Sequence, residues 1–247
     1  MLEPCVNQAA GLQGLALQPG TRLVAVASHG SQQGEMPLLW SLCAAWVDLG
    51  FAVTVLDGQA SESMQNPGLK QLLDDPMGRV FDEHDPLSWS VLAASQGLRQ
   101  LVSRGLSLDN LGALFPNFGV ILIYADAPTL ALILKGSGIA PLLVVAPLKA
   151  SSLTAYQALK QLLLDAQLQP TVANIALATP ATTSMQIARP FQHLQDCAKA
   201  FLGYSVKPLT VTAGSQSGIA GDGVGRLALQ LLENAKFLER HPITRAH

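Results

Sequence analysis

Short runs of β-branched and leucine residues alternate along this chain with stretches whose apolar positions recur every three or four residues. The runs predict strands at Arg22–Ala27, Ala52–Asp57, Ser90–Ala93, Gly119–Tyr124, Pro141–Ala146 and Thr171–Ala176. The helical spacings predict helices over Pro37–Leu49, Leu69–Leu73, Gly97–Val102, Leu108–Leu114, Ser152–Ala166, Pro190–Leu202 and Val224–Arg240. Strand–helix–strand alternation is the rhythm of an α/β fold: a mostly parallel sheet with helices on both faces, a three-layer sandwich. Two irregular segments, Gly58–Pro67 and Leu209–Gly223, read as surface loops over the carboxyl ends of strands, where open α/β sheets bind their ligands. No repeat or low-complexity linker divides residues 21–247, so they form one domain. Residues 1–20 precede it as a tail with its own small apolar face, Ala9, Leu12 and Leu15, which fits a short helix on a tether.

Composition narrows the function classes. Of 247 residues 49% are hydrophobic, ample for one well-buried core. Fifteen Lys and Arg against 17 Asp and Glu leave a formal charge of −2, with no basic footprint for neutralising many phosphates, so nucleic acid is not an expected partner. Cys5, Cys43 and Cys197 are widely spaced with no CxxC, which speaks against a disulfide framework or a zinc site and for reduced thiols in a cytoplasmic protein. His84, His193, His241 and His247 have no ligand spacing, and no metal is expected. The N-terminus reads as no export signal, and no apolar run approaches the length of a membrane span.

The first strand, loop and helix have the framing of a phosphate-binding P-loop. That motif, GxxxxGK[ST], needs glycines for close backbone approach, a lysine for the outer phosphates and a hydroxyl for Mg²⁺. Here the window is His29-Gly30-Ser31-Gln32-Gln33-Gly34-Glu35-Met36. Glu35 stands where the lysine belongs and repels a polyphosphate, and Met36 cannot ligate a hard cation. Gly30 and Gly34 still offer backbone N–H groups to a smaller anion, but Glu35 opposes that too. Binding of ATP and Mg²⁺ is therefore not expected. Ser28, His29 and Asp57 contain the letters of a hydrolase triad, yet no G-x-S-x-G elbow surrounds the serine.

Together these features resemble the MinD/ParA group of deviant P-loop ATPases, and within it the flagellar number regulators of the FlhG (FleN) type. The resemblance is carried by Leu23–Gly50 with Val53–Asp57, by Val91-Leu92-Ala93-Ala94-Ser95, by the proline-bearing turn from Val144 to Tyr156, and by Ala198–Gly203. Outside the core, FlhG proteins carry a DQAxxLR segment implied to activate FlhF, an SRP-type GTPase. This chain reads Asn7-Gln8-Ala9-Ala10-Gly11-Leu12-Gln13, keeping the Gln, Ala and Leu in register while Asn7 and Gln13 replace the two charged residues. If Gln8 enters a partner GTPase site its amide can orient the attacking water, with Ala9 and Leu12 as apolar footing; the alternative is a disordered polar tail.

The resemblance also assigns ancestral roles. Asp57 takes the place of the family's water-activating aspartate, and without a lysine or metal-holding hydroxyl it reads as a turn cap. Tyr124 takes the place of the metal-proximal aspartate in the simplest alignment, with Asp126 two residues further on. Asn174 takes the place of an adenine-reading asparagine and otherwise reads as a strand-end turn residue. The run from Val224 to Arg240 places Val224, Leu227, Leu231, Ala235 and Leu238 on one helical face. The family uses such a helix at the membrane, whereas Glu233 and Glu239 favour packing on its own domain.

The expectation is a non-hydrolysing MinD/FlhG-like regulator of the bacterial cytoplasm, held at the inner membrane or cell pole only through partners. It would place or count a surface apparatus, the flagellum first, through an SRP-type GTPase or an active MinD-like homologue. Two other readings stay open: a scaffold of a membrane-associated secretion or exopolysaccharide system, and an atypical ATPase.

Overall fold

The structure is a computed structural model describing residues 20–30, 32–76, 89–146, 149–177, 189–213 and 222–238. In chain order the described elements are β1 (Thr21–Ser28), α1 (Gln32–Asp48), β2 (Val53–Asp57), α2 (Leu69–Asp74), β3 (Trp89–Ala93), α3 (Ser95–Ser103), α4 (Asp109–Leu114) and β4 (Val120–Asp126). They continue with α5 (Ala127–Leu134), β5 (Leu142–Val145), α6 (Lys149–Ala166), β6 (Thr171–Leu177), α7 (Arg189–Leu202), β7 (Pro208–Ala213), α8 (Asp222–Glu233) and β8 (Lys236–Leu238).

Seven strands run parallel in the order β3-β2-β4-β1-β5-β6-β7, and β8 joins β1 antiparallel. The two central strands are buried on both faces, which is why Leu23–Ala27 and Val120–Ala125 read as unbroken apolar runs. Alternate residues serve opposite layers. Val24, Val26, Val53, Val55 and Leu122 meet Leu39, Leu42 and Trp46 of α1 and Leu227 and Leu231 of α8. Leu23, Leu56, Ile121 and Ile123 meet Leu69 of α2, Leu98 of α3, Leu130 of α5, Leu159 of α6 and Leu194 of α7. The Trp46 indole donates to the Ala228 carbonyl at 3.0 Å, tying α1 to α8.

Five expectations change, the first being that α1 begins at Gln32 with Pro37 inside it, instead of at Pro37. The terminal helix stops at Glu233 instead of Arg240, and Lys236–Leu238 form β8. The reason is tertiary: β5 pairs with β1 only at Val26 and Ala27, and β8 takes up the remaining edge at Thr21, Arg22 and Leu23. The stretch Leu209–Ala213, read as loop, lies in β7, an edge strand that tolerates Pro208 at its first position. Helix α5 had no counterpart in the sequence reading, although its signals were present: Asp126 as N-cap, accepting from Thr129 N at 2.9 Å, and Pro128 at the second helical position. Asn174 lies inside β6, paired with Val145 and Thr210, and not at a strand end. On α8, Leu227 and Leu231 are buried against the sheet, so the apolar face is spent on the domain's own core. No helix among the described residues is long and apolar enough to cross a membrane.

Candidate functional site

Parallel strands deliver their carboxyl ends to one edge of the sheet, and the β1 ladder sets Ser28 beside Asp126 and Val26 beside Tyr124. Asp57 at the end of β2 is level with Tyr124. The chain leaves β1 through His29 and Gly30, whose φ of 87° is a left-handed conformation that suits glycine, and enters α1 at Gln32. Glu35 in the first turn of α1 then points back under the loop. It is 1% exposed, a carboxylate at a helix N-terminus inside the protein.

Three donors converge on that carboxylate. The Tyr124 hydroxyl donates to Oε2 at 2.7 Å, the His29 backbone N–H donates to Oε1 at 3.2 Å, and His29 Nε2 stands 3.2 Å from Oε1. Nε2 also lies 2.5 Å from the Val144 carbonyl. Both neighbours are acceptors, so Nε2 is the protonated nitrogen. Nδ1 meets Thr154 Oγ1 of α6 at 2.8 Å, and that hydroxyl has a second acceptor in the Ala150 carbonyl at 3.2 Å. Thr154 can donate to Nδ1 of a neutral ring, or donate to Ala150 and accept from an imidazolium.

Tyr124 is 1% exposed. Burial pushes its phenol well above the ordinary tyrosine range; the Ser28 hydrogen bond opposes the shift, and hydrogen bonding to Glu35 reinforces it. The phenol therefore stays a neutral donor at physiological pH. In chemical terms one loop N–H, an imidazole N–H and a phenol O–H are arranged around an anion that is the protein's own side chain.

The other expected residues disperse. Gly34 lies in the first turn of α1, and Met36 turns toward the apolar layer between α1 and the sheet. Asp57 Oδ1 accepts from Gln59 N at 2.9 Å, closing a turn after β2. Asn174 sits in a strand interior, and Asp126 is exposed at the start of α5. Asn7, Gln8, Ala9, Leu12 and Gln13 lie outside the described residues. Thr154 and the β5 carbonyl of Val144 carry no local signal as partners of His29, because only the tertiary fold brings residues 115 to 125 positions away to that ring.

Beside the site, Glu62 in the loop after β2 is 5% exposed and acts as a clamp. Its carboxylate accepts from Gln96 N at 2.7 Å and Gly97 N at 2.6 Å at the start of α3, and from Lys70 N at 3.3 Å at the start of α2. One anion thus satisfies orphan N–H groups of two helices and fixes the Gly58–Pro67 loop over the sheet. Among the described residues no group of three or more His, Cys, Asp or Glu could hold a metal ion.

Sheet order, the loop and helix after β1, and helices on both faces give an α/β fold like that of MinD/ParA-type ATPases. Solved structures bear this out at low identity. Apo McdA from Cyanthece is similar at a TM-score of 0.56 and 14% identity over 87% of this chain and 96% of that one. A chain of the MinC:MinD cell division protein complex of Aquifex aeolicus is similar at 0.55 and 15%, over 91% and 99%. A ParA family ATPase from Chlorobium tepidum is similar at 0.50 and 12%, over 87% and 93%. No family model and no curated protein matches the sequence.

Proposed function

We propose that this chain is a non-hydrolysing regulator on a MinD/ParA scaffold, acting by protein contacts to place or count a bacterial surface apparatus, the flagellum first. The observation that carries the loss of hydrolysis is the seat of Glu35. The position that the P-loop pattern gives to lysine holds a buried carboxylate, which takes up the His29 N–H and the Tyr124 hydroxyl. At an effective dielectric constant near 20, two like unit charges about 4 Å apart repel by about 4 kcal/mol, so each phosphate charge brought to this loop meets opposition where an ATPase supplies attraction.

With the nucleotide switch gone, function falls to surfaces. MinD is solved with MinC, a protein partner, which supports a contact-based role for a chain of the same fold. The likeness of Asn7–Leu15 to the FlhG activator supports an SRP-type GTPase as the partner, with Gln8 orienting water in that enzyme's site and Ala9 and Leu12 seating the helix. The test is turnover of an SRP-type GTPase mixed with the full chain. Stimulation that Gln8→Ala abolishes is expected; no stimulation by the wild type, or full stimulation by Gln8→Ala, ends this reading.

A further inference from the structure

All three tryptophans of the chain, Trp40, Trp46 and Trp89, gather where α1 meets the edge strand β3. Trp46 is buried, but the Trp40 ring stacks on Trp89 with centroids 4.8 Å apart, and Trp89 is 42% exposed. Val91, two residues on and therefore on the same face, is 47% exposed. The ladder aligns Trp89 with Val53 and Val91 with Val55, and those two β2 residues lie under α1 in the core. Helix α1 lies over β2 and reaches β3 through Trp40, yet leaves Trp89 and Val91 part-exposed.

Its outward side continues the apolar ledge. Pro37, Ser41 and Ala44 are exposed, Trp40 and Val47 are half-buried, and no charge appears on this side before Asp48. The Ser41 hydroxyl is already donated to the Pro37 carbonyl at 2.8 Å. In a sheet covered on both faces, an uncharged ledge with two indoles beside an edge strand is a place for one more apolar segment.

The chain supplies that segment. Residues 1–19 join the domain at Gly20, at the amino end of β1. Trp89 is level with Arg22 through Val53 and Val120, three strands away, so the lateral gap is roughly 14 Å at about 4.8 Å per strand. The five residues from Ala16 to Gly20 span about 17 Å when extended, enough to bring Leu15 to the ledge. The segment's only charged side chain is Glu3, and Ala9, Leu12 and Leu15 recur three apart, a spacing that lines one side of a helix.

We propose that residues 1–19 dock on their own domain, with Ala9, Leu12 and Leu15 against Trp40, Trp89 and Val91. The tether gives an effective concentration on the order of millimolar, so a modest contact suffices. The docked state does not depend on the GTPase assignment, but it withholds Ala9 and Leu12 from any external partner, so engagement of the segment competes with this ledge.

Acrylamide quenching of tryptophan emission tests it on the full chain. Leu12→Glu/Leu15→Glu, changing only the segment, should raise the quenching constant about two-fold by uncovering Trp40 and Trp89 while Trp46 stays silent. Val91→Arg attacks the same contact from the exposed strand, and chymotryptic cleavage after Leu12 and Leu15 should then run about five-fold faster than in the wild type. Equal quenching in wild type and double variant, or unchanged cleavage in Val91→Arg, overturns the proposal. So does protection of the wild-type indoles that disappears on dilution, since a second copy would then occupy the ledge.

Discussion

Replacing Glu35 tests whether the filled loop is a supporting part of the fold. Glu35→Ala removes the acceptor of the Tyr124 hydroxyl and of the His29 N–H, and the carboxylate facing His29 Nε2. Nε2 keeps the Val144 carbonyl and Tyr124 keeps Ser28, so the ring and phenol are not fully orphaned. What remains is two hydrogen bonds to a charged acceptor, each contributing about 1.5–3 kcal/mol, less the desolvation relieved when a buried charge goes. The balance is a loss of about 3 kcal/mol, a large share of the ~5–15 kcal/mol that holds a domain together. Glu35→Gln keeps shape and one carbonyl acceptor and should lose about half as much. Urea unfolding at pH 7 measures both, with the slope against denaturant unchanged if only stability has moved. A Glu35→Ala protein within 0.5 kcal/mol of wild type, on the scale of ordinary surface substitutions, refutes the reasoning. A more stable one would make Glu35 a strained leftover instead of a replacement anion.

Two further outcomes follow from the same contacts. Because burial raises the Tyr124 pKa in the fold above its unfolded value, its contribution is complete below the ordinary tyrosine pKa of about 10 and declines as pH rises toward the folded pKa. Tyr124→Phe should destabilise by about 1–3 kcal/mol at pH 7, and the gap to wild type should narrow from pH 10 upward in thermal melts; a constant gap contradicts the shift. Glu62→Gln should weaken the clamp on α2 and α3 by about 2 kcal/mol, and hydrogen exchange at Gln96 and Gly97 should accelerate while β1 and β4 stay protected. Uniform acceleration would make the clamp part of the global core.

The layered α/β fold was legible because the central strands are buried on both faces and leave long apolar runs, and because helical spacing is clear in α3, α7 and α8. Element ends were legible only where local chemistry decides them. Helical spacing runs past Glu233, yet an open edge of β1, visible only in three dimensions, draws Lys236–Leu238 into the sheet. Glu35 could be singled out from one position. Its partners could not, since the phenol comes from Tyr124 and the imidazole is held by Thr154, and nothing in local sequence joins them. Glu62 escaped notice because a lone glutamate in a polar loop looks like any solvated one.

A buried carboxylate in the seat of a phosphate leaves no room for ATP. Isothermal titration of the full chain with ATP and Mg²⁺ addresses this most directly, alongside a MinD/ParA-type ATPase with an intact P-loop lysine. No binding tighter than about 1 mM is predicted, that is, no more than ~4 kcal/mol of affinity. Saturable binding at micromolar ATP, with the triphosphate over Gly34 and its charge met by a basic group, would contradict it.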